Sequence, residues 1–419
     1  MKPECDVLVI GGGAIGVCSA YFTARRGLKV ALLEKGEICS GSSYGNAGLI
    51  VPSHCVPLAA PGNVSRALKW MFTPDGPVHI KPRFDLDLFS WLLRFFSACN
   101  DRRLRTSIEV LRRLSVESVK LFDELACTPG AGFDYEKKGY LRVYKTPEGL
   151  HDGVKEAELV RSAGGDARVL DSDGIKGLNP DIRIEVLGGI LYAEDAHLSP
   201  AKFVQVLTSQ MVSYGVGVHP FTEVIDFRKS GRRITSVRTT RGEFRAAEIV
   251  LAAGSWVPGI ARCLGLRLPI QAAKGYSFTF QRPARCPAVP FSLGEAGVAV
   301  TPMGNRLRFA GTFDLAGLDF SLNRKRLAAI LSAVPTYLPD LQPSDLNLLE
   351  IWRGLRPCTP DGLPLLGRSR HYDNLTIAAG HAMIGISLSP ITGKLVSELA
   401  AKEEPSADIS ALAIERFGL

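Results

Sequence analysis

The run Gly11-Gly12-Gly13-Ala14-Ile15-Gly16 has the residue types and spacing of a phosphate cradle, and Glu34 stands where an acid can meet a ribose. An apolar run from Cys5 to Ile10 feeds the glycines, and a second, Lys29 to Leu33, ends on the glutamate. In such a unit Gly11 permits the tight turn off a strand, Gly13 lets backbone N–H groups approach a pyrophosphate, and Gly16 lets the following helix pack close to the sheet. Phosphate charge then rests at a helix N-terminus, beside unpaired N–H groups and the positive end of the macrodipole. A carboxylate just after the second strand accepts both hydroxyls of an adenosine ribose and repels a 2′-phosphate, which disfavours NADP. Strand, glycine turn, a helix from Ile15 to Arg26 and a terminal acid, in that order, predict a dinucleotide site with Gly11, Gly13, Ala14, Ile15, Gly16 and Glu34 among its contacts.

The positioning elements follow from the rest of the chain. Val7 to Phe22 is apolar enough for a secretory signal or membrane anchor, but four glycines, one upstream lysine and no small-residue cleavage pattern fit a buried βα turn better. Arg94 interrupts the strongest other apolar run, so a soluble or peripheral protein is expected. The 419 residues, 46% hydrophobic, can bury a large core in two domains or one elaborated domain. Nine scattered cysteines with no C-x-x-C pair predict reduced thiols, no metal centre and a cytoplasmic location. A net charge of +8 suggests attraction to an anionic surface. No basic run interleaved with aromatics supports nucleic acid as that surface.

After Glu34, the small residues of Ser40-Gly41-Ser42-Ser43-Tyr44-Gly45-Asn46-Ala47-Gly48 suit backbone lying against a ligand, and Pro52 to Pro82 reads as irregular connection. Polar residues at steps of three and four make Phe84 to Cys99 an amphipathic helix, and a longer arginine-rich helix follows through Leu104 and Leu125. Strands are predicted at Gly139 to Tyr144 and Gly189 to Tyr192, with helices at Val154 to Ser162 and Ala201 to Ser213. Sheet resumes around Glu223 to Phe227, Ile234 to Thr239 and Glu248 to Ala252, the last running into a second glycine turn at Gly254. Short β segments at Tyr276 to Phe280, Val298 to Thr301 and Leu307 to Gly311 suggest a separate antiparallel layer. The strand Leu375 to Ala379, then Gly380-His381 and a helix from about Ile386 to Lys402, close the chain.

A simple nicotinamide dehydrogenase continues its parallel sheet in consecutive βαβ units. Here long insertions separate three pieces of the nucleotide domain, an arrangement that suits a flavin dinucleotide whose ring must reach a second domain. The motifs resemble those of the D-amino acid oxidase superfamily of FAD-dependent oxidoreductases, and within it the bacterial D-amino acid dehydrogenases (small subunit). The resemblance spans nearly the whole chain. It rests on the glycine turn with Glu34, on Ser43 to Gly48, on Ala59-Ala60-Pro61-Gly62 leading to Leu68-Lys69-Trp70-Met71-Phe72, and on Lys274-Gly275-Tyr276-Ser277. Trp352 to Gly362, Gly380-His381 and Gly385 to Gly393 complete it.

The resemblance implies an α/β fold: a split Rossmann-type FAD-binding domain with an inserted antiparallel β-sheet substrate domain, the D-amino acid oxidase or glutathione-reductase-2-like fold. It places residues 1–80, 196–263 and 346–419 in the FAD domain and 81–195 and 264–345 in the substrate domain. It implies non-covalent FAD and oxidation of the Cα–N bond of a D-amino acid, or a related amino or imino acid, to an imine that hydrolyses to a 2-oxo acid. Arg356 matches the arginine that clamps the substrate carboxylate, and Tyr276 and Lys274 match pocket positions or simply start an interior strand. Lys35, Ser42, Ser43, Asn46, Ala47, Gly48, Gly254, Arg353, Gly354, Gly380, His381, Gly385 and Ile386 join the expected cofactor contacts. A helix N-terminus at about Gly385 to Ser387 would stabilise negative charge on the reduced flavin. His381 either bonds the cofactor or packs in its turn, and Arg356 could instead pair with Asp361.

Met383 stands where glycine-oxidase-like members carry a second arginine, so an apolar substrate group fits there, and no Ser-His in the Ser43 region supports a histidyl flavin link. The Phe84 to Phe96 helix with arginines 102, 103, 105, 112 and 113 could pack on its own domain or press into lipid on the inner face of the cytoplasmic membrane, delivering electrons to a quinone. The rival readings are a glycine or D-proline type oxidase or dehydrogenase, and a non-catalytic flavin-binding subunit that passes electrons to a partner subunit.

Overall fold

A computed structural model describes residues 4–60, 78–81 and 83–418; Pro61-Gly62 and the Leu68 to Phe72 motif lie outside them. The chain's first strand, Cys5–Ile10, is the centre of a six-stranded sheet. Parallel neighbours Val30–Leu33 and Ala246–Leu251 flank it, Gly217–His219 extends one side, and Leu375–Ala379 with the antiparallel Leu365–Arg368 extends the other. Three distant stretches of sequence therefore meet in one sheet, because each is an apolar run buried on both faces and must be covered on both.

Alternation along the first strand assigns the two covers. Val7 and Val9 face a helical layer built on Ala14–Arg25, Asp101–Ala126, Pro200–Ser213 and Ser389–Ala400. Leu8 and Ile10 face Phe227, Ile234 and Val237 of a three-stranded meander, Val224–Ser230, Arg233–Thr239 and Gly242–Phe244, with the short helix Val257–Cys263 beside it. The N-terminal helix and the C-terminal helix cross closely: a Cβ on Gly393 would lie 2.5 Å from the Cys18 carbonyl carbon. These two helices are thus packed backbone to backbone.

The second sheet has nine strands. Its path runs Leu348–Cys358, Gln271–Gln281, Arg306–Leu315, Val298–Met303, Phe291–Leu293, Tyr140–Tyr144, Gly188–Tyr192 and Ala167–Asp171, with Val78–Ile80 beside Arg306–Leu315. One face buries Tyr276, Phe278, Phe280, Phe309, Val298 and Val300 against the helix Arg324–Tyr337. The expected antiparallel sheet is mostly antiparallel but mixed, since Phe291–Leu293 pairs parallel with Tyr140–Tyr144 and Val78–Ile80 pairs parallel with Arg306–Leu315. A boundary at 346 does not match the hydrogen bonding either. Leu348–Cys358 pairs along its length with Gln271–Gln281, so it belongs to the large sheet and the return to the six-stranded sheet comes after it.

Differences elsewhere are of extent. The helix expected over Val154 to Ser162 begins at Pro147, capped by the Thr146 hydroxyl accepting from the Gly149 amide, and the C-terminal helix spans Ser389–Ala400 after a turn. The helix Leu86–Ala98 starts at Asp85, whose carboxylate accepts from the amides of Asp87 and Leu88. Its apolar side chains divide between two faces: Leu88 and Trp91 are buried, whereas Leu86, Phe89, Leu93 and Phe96 are exposed. Arg112 leaves the expected basic fringe, being buried with Nη2 2.6 Å from Glu194.

Candidate active site

The glycine turn has the geometry its sequence calls for. Gly11 has φ +116°, and a Cβ there would lie 2.6 Å from the Ala252 carbonyl oxygen, while a Cβ on Gly16 would lie 1.8 Å from that of Gly11. Only glycine allows both the turn and the close seat of the helix on the strand. The Ala14 amide donates to the Ser43 hydroxyl at 3.0 Å, and the amides of Gly13, Ile15 and Gly16 have no acceptor among the described residues. Glu34, at the end of the second strand, accepts from the Gly12 amide at 2.7 Å and the Gly36 amide at 2.9 Å. Its carboxylate is thereby aimed beside the turn with lone pairs to spare for hydroxyl donors.

A glycine-rich loop continues from there and is tied down at every few residues. The hydroxyls of Ser42 and Ser255 both donate to the Leu355 carbonyl, the latter at 2.8 Å. Arg308, buried on the facing strand, donates from Nη1 to the carbonyls of Tyr44 at 3.0 Å and Asn46 at 2.8 Å, and from Nε to Thr279 Oγ1 at 3.1 Å. Asn46 Oδ1 accepts from the Gly48 amide at 2.8 Å. Further on, the Val51 amide donates to Ser387 Oγ at 3.0 Å, and Ser53 donates both its amide and its hydroxyl to Asp195. Asp195 is buried, and desolvation pushes its carboxyl up to about 8 against the pull of the Ser53 hydrogen bonds.

Arg308 and Asp195 are missing from the sequence-based set. Leu307-Arg308-Phe309-Ala310 shows only an alternating strand; that its polar face is covered by a loop from residues 44–46 is a long-range fact. Ala47 lies half-buried in that loop, between Asn46 and Gly48. Gly254, φ +54°, opens the turn after Ala246–Leu251. Lys35 Nζ lies 3.9 Å from the ring centroid of Trp256, which stacks on Phe320; the Arg353 guanidinium covers the other ring and donates to the Phe320 carbonyl. Lys35 and Arg353 therefore meet at opposite ends of one aromatic stack on the rim of the loop.

Strand alternation separates the expected catalytic residues. Trp352, Gly354, Arg356 and Cys358 share one face of Leu348–Cys358, opposite Ser277, Gly275, Ala273 and Gln271 of the neighbour. Trp352 lies over Gly45 and Gly354, so this is the face turned to the glycine-rich loop. The Arg356 guanidinium lies against Gly275, where a Cβ would come within 2.2 Å of it, and its one hydrogen bond among the described residues runs from Nη1 to the Thr312 carbonyl at 2.8 Å. Burial pushes the guanidinium below the ordinary arginine range, opposed by the neighbouring Cys358 thiol and Asp314 carboxylate. Asp314 is itself 3.4 Å from Arg326, and Asp361 is held by Arg416 at 2.7 and 3.1 Å, so the ion pair of Arg356 with Asp361 does not form.

Tyr276 and Lys274 project to the other face. Tyr276 is buried in the aromatic core, its hydroxyl accepting from the Asn323 amide at 3.2 Å, and Lys274 Nζ is bound by Asp319 at 3.1 Å and the Ser321 carbonyl at 2.9 Å. The structure does not bring them together with Arg356.

The C-terminal turn lies beside the Arg356 strand through a bridge between Cys358 and His381. His381 is buried with Nε2 3.0 Å from Thr392 Oγ1, and burial lowers its pKa to about 3, which keeps the ring neutral and packed in its turn. Gly380 has φ +80° before it. The amides of Ile386 and Ser387 have no acceptor among the described residues, and Gly385 precedes them at the end of the turn Ala382–Ile384.

A model of the FAD dependent oxidoreductase family matches residues 6–399. Over 418 residues the chain is 32% identical to D-amino acid dehydrogenase of Methylobacterium radiotolerans, covering 98% of this chain and 99% of that one. It is 31% identical over 417 residues to D-amino acid dehydrogenase of Cereibacter sphaeroides, covering 98% and 95%. Glycine oxidase from Geobacillus kaustophilus shares the fold with a TM-score of 0.80 at 24% identity, covering 99% of both chains. L-proline dehydrogenase from P. horikoshii does so at 0.76 and 22%, covering 100% and 99%. Turn, acid and clamped loop define a dinucleotide-dependent oxidoreductase, and the chain belongs to the FAD dependent oxidoreductase family. Its cofactor is FAD.

The residues fit that group: unpaired amides at the glycine turn, a carboxylate for ribose, and unpaired amides at Ile386 and Ser387. Glu34→Ala is expected to weaken FAD binding at least about 10-fold, the order of one charge-assisted hydrogen bond. Flavin fluorescence titration of the stripped protein measures this, and an unchanged dissociation constant would remove Glu34 from the site.

Proposed function

We propose that the protein is a dehydrogenase of D-amino acids that passes electrons to a quinone or another acceptor than O₂. FAD, when bound, supplies the hydride acceptor. Arg356 takes the substrate carboxylate through a bidentate pair and so fixes the direction of the Cα–H bond. The loop from Ser42 to Gly48, held by Arg308, and the free amides of Ile386 and Ser387 set the walls on the cofactor side. No base from the chain is needed once the amine is neutral, and the imine product hydrolyses in water to a 2-oxo acid and ammonia. The observation that carries the reading is the Arg356 guanidinium, laid over Gly275 with one hydrogen bond among the described residues. Whole-length relatives named D-amino acid dehydrogenase support the substrate class.

Anaerobic mixing with D- and L-amino acids, sarcosine and the two prolines tests it. Bleaching of the flavin by D-amino acids is expected; bleaching by L-amino acids alone, or by none, would contradict it.

Peripheral membrane contact goes with a quinone acceptor. Among the described residues no helix is long and apolar enough to cross a membrane. Phe84, Leu86, Phe89, Leu93 and Phe96 are 48% to 100% exposed, with Arg102, Arg103 and Arg105 exposed close by in the chain. An apolar stripe beside a basic fringe favours an anionic bilayer surface. The protein is expected to sediment with anionic vesicles and Phe89→Glu to stay in the supernatant; a native protein that does not sediment would end the membrane reading.

A further inference from the structure

We propose that Trp91 determines the side-chain specificity of the site, forming an apolar wall beside the Arg356 strand that favours an uncharged substrate side chain of aliphatic size. The inference rests on the reading of Arg356 as the carboxylate clamp.

The helix Leu86–Ala98 packs on the large sheet and is hydrogen-bonded to the Arg356 strand through Trp91. The Trp91 indole Nε1 donates to the Cys358 carbonyl at 2.9 Å, two residues beyond Arg356 on the same strand. Phe95 stacks on the indole at 5.4 Å between centroids and 10° between planes. Trp91 packs with Ala273, which is paired with Arg356 across the strands, and with Cys358, while Ala382 of the C-terminal turn closes against them. An indole with a phenyl ring behind it, two alanines and a thiol therefore form an apolar cluster beside the strand that carries Arg356.

Two consequences follow from the composition of this cluster. A substrate held at Arg356 that turns its side chain toward Trp91 gives up water for apolar contact, which favours an aliphatic group. A second charge there would be desolvated against apolar side chains, which disfavours it. The indole is also a rigid, hydrogen-bonded wall that cannot retreat without losing its own bond, so it limits length as well as polarity.

The test compares the native holoenzyme with Trp91→Leu and Trp91→Phe. The native protein is expected to show a kcat/KM for D-alanine or D-valine at least about 10-fold above those for D-phenylalanine and D-glutamate, the range set by a methylene-scale pocket. Trp91→Leu is expected to raise the ratio of D-phenylalanine to D-alanine at least about 10-fold with the flavin spectrum unchanged, a shift that a merely structural role would not produce. An unchanged ratio in a folded, FAD-loaded Trp91→Leu would overturn the inference. Should that variant not fold, the native protein still decides it through flavin-perturbing carboxylates: propionate must bind more tightly than phenylacetate, and the reverse order overturns it. A native protein that no D-amino acid reduces would instead sink the functional reading, and the two failures are distinguishable because carboxylate binding needs no turnover.

Discussion

Arg356→Ala is expected to lower kcat/KM for a D-amino acid at least about 100-fold while the bound flavin keeps its spectrum. The magnitude is that of one buried charge-assisted bidentate pair, about 3 kcal/mol. Among the described residues the guanidinium has one hydrogen bond, to the Thr312 carbonyl, so its removal frees few of these partners and leaves the sheet otherwise paired. Arg356→Lys is expected to recover only part of the loss, because an ammonium replaces a planar fork by a single point of contact. Steady-state kinetics with D-alanine, alongside the flavin spectrum, measures both. A small change in kcat/KM would mean that the carboxylate is held elsewhere. Asp361→Asn supplies the contrast: it weakens the pair with Arg416, in which Arg356 takes no part, and is expected to lower stability without raising KM in proportion.

Gly16→Ala is expected to abolish FAD loading and to lower the melting temperature of the purified protein. The new methyl would lie 1.8 Å from the Gly11 carbonyl oxygen, so the helix Ala14–Arg25 must move off the strand. Over-packing of this kind costs about 3 kcal/mol or more where backbone rather than a flexible side chain is the obstacle. The shift also carries the amides of Gly13 and Ile15 away from the pyrophosphate and loosens the crossing of that helix with Ser389–Ala400. The ratio of visible to ultraviolet absorbance and a thermal melt read the two effects. A variant that loads FAD like the native protein would show that the close seat of the helix is not what shapes the cradle.

Much of the fold around the cofactor is legible from local sequence. Strand, turn and acid lie within thirty-odd residues of one another, and each signals itself by residue type: glycines where backbone must approach backbone, an acid where a strand ends. The two later returns to the same sheet are also apolar runs ending in glycine. The substrate side is less legible. Gly354 and Pro357, residue types that ordinarily interrupt a strand, lie in an eleven-residue strand. Leu348–Cys358 is the edge of its sheet, where a proline without an N–H costs no ladder bond, and Gly354 makes room for the Trp352 ring.

Lys274 and Tyr276 show a second limit. A period of two tells that Gly275 and Tyr276 face opposite ways, but not which face holds the site; that is decided by the strand on which Arg356 lies and by the loop over it. The apolar face of the helix Leu86–Ala98 is wide, and only its packing shows that Trp91 turns to the Arg356 strand while Phe89 and Leu93 turn away. Arg308 and Asp195 leave no local trace at all, since each matters through a partner more than a hundred residues distant.

The proposed chemistry requires a flavin dinucleotide held between the amino-terminal glycine turn and the carboxy-terminal unit. Heat or acid precipitation of the purified protein, followed by chromatography of the supernatant, tests this directly. FAD released intact at one per chain is the predicted result. A colourless protein that takes up no FAD on reconstitution, or a flavin that stays with the precipitate, would contradict it.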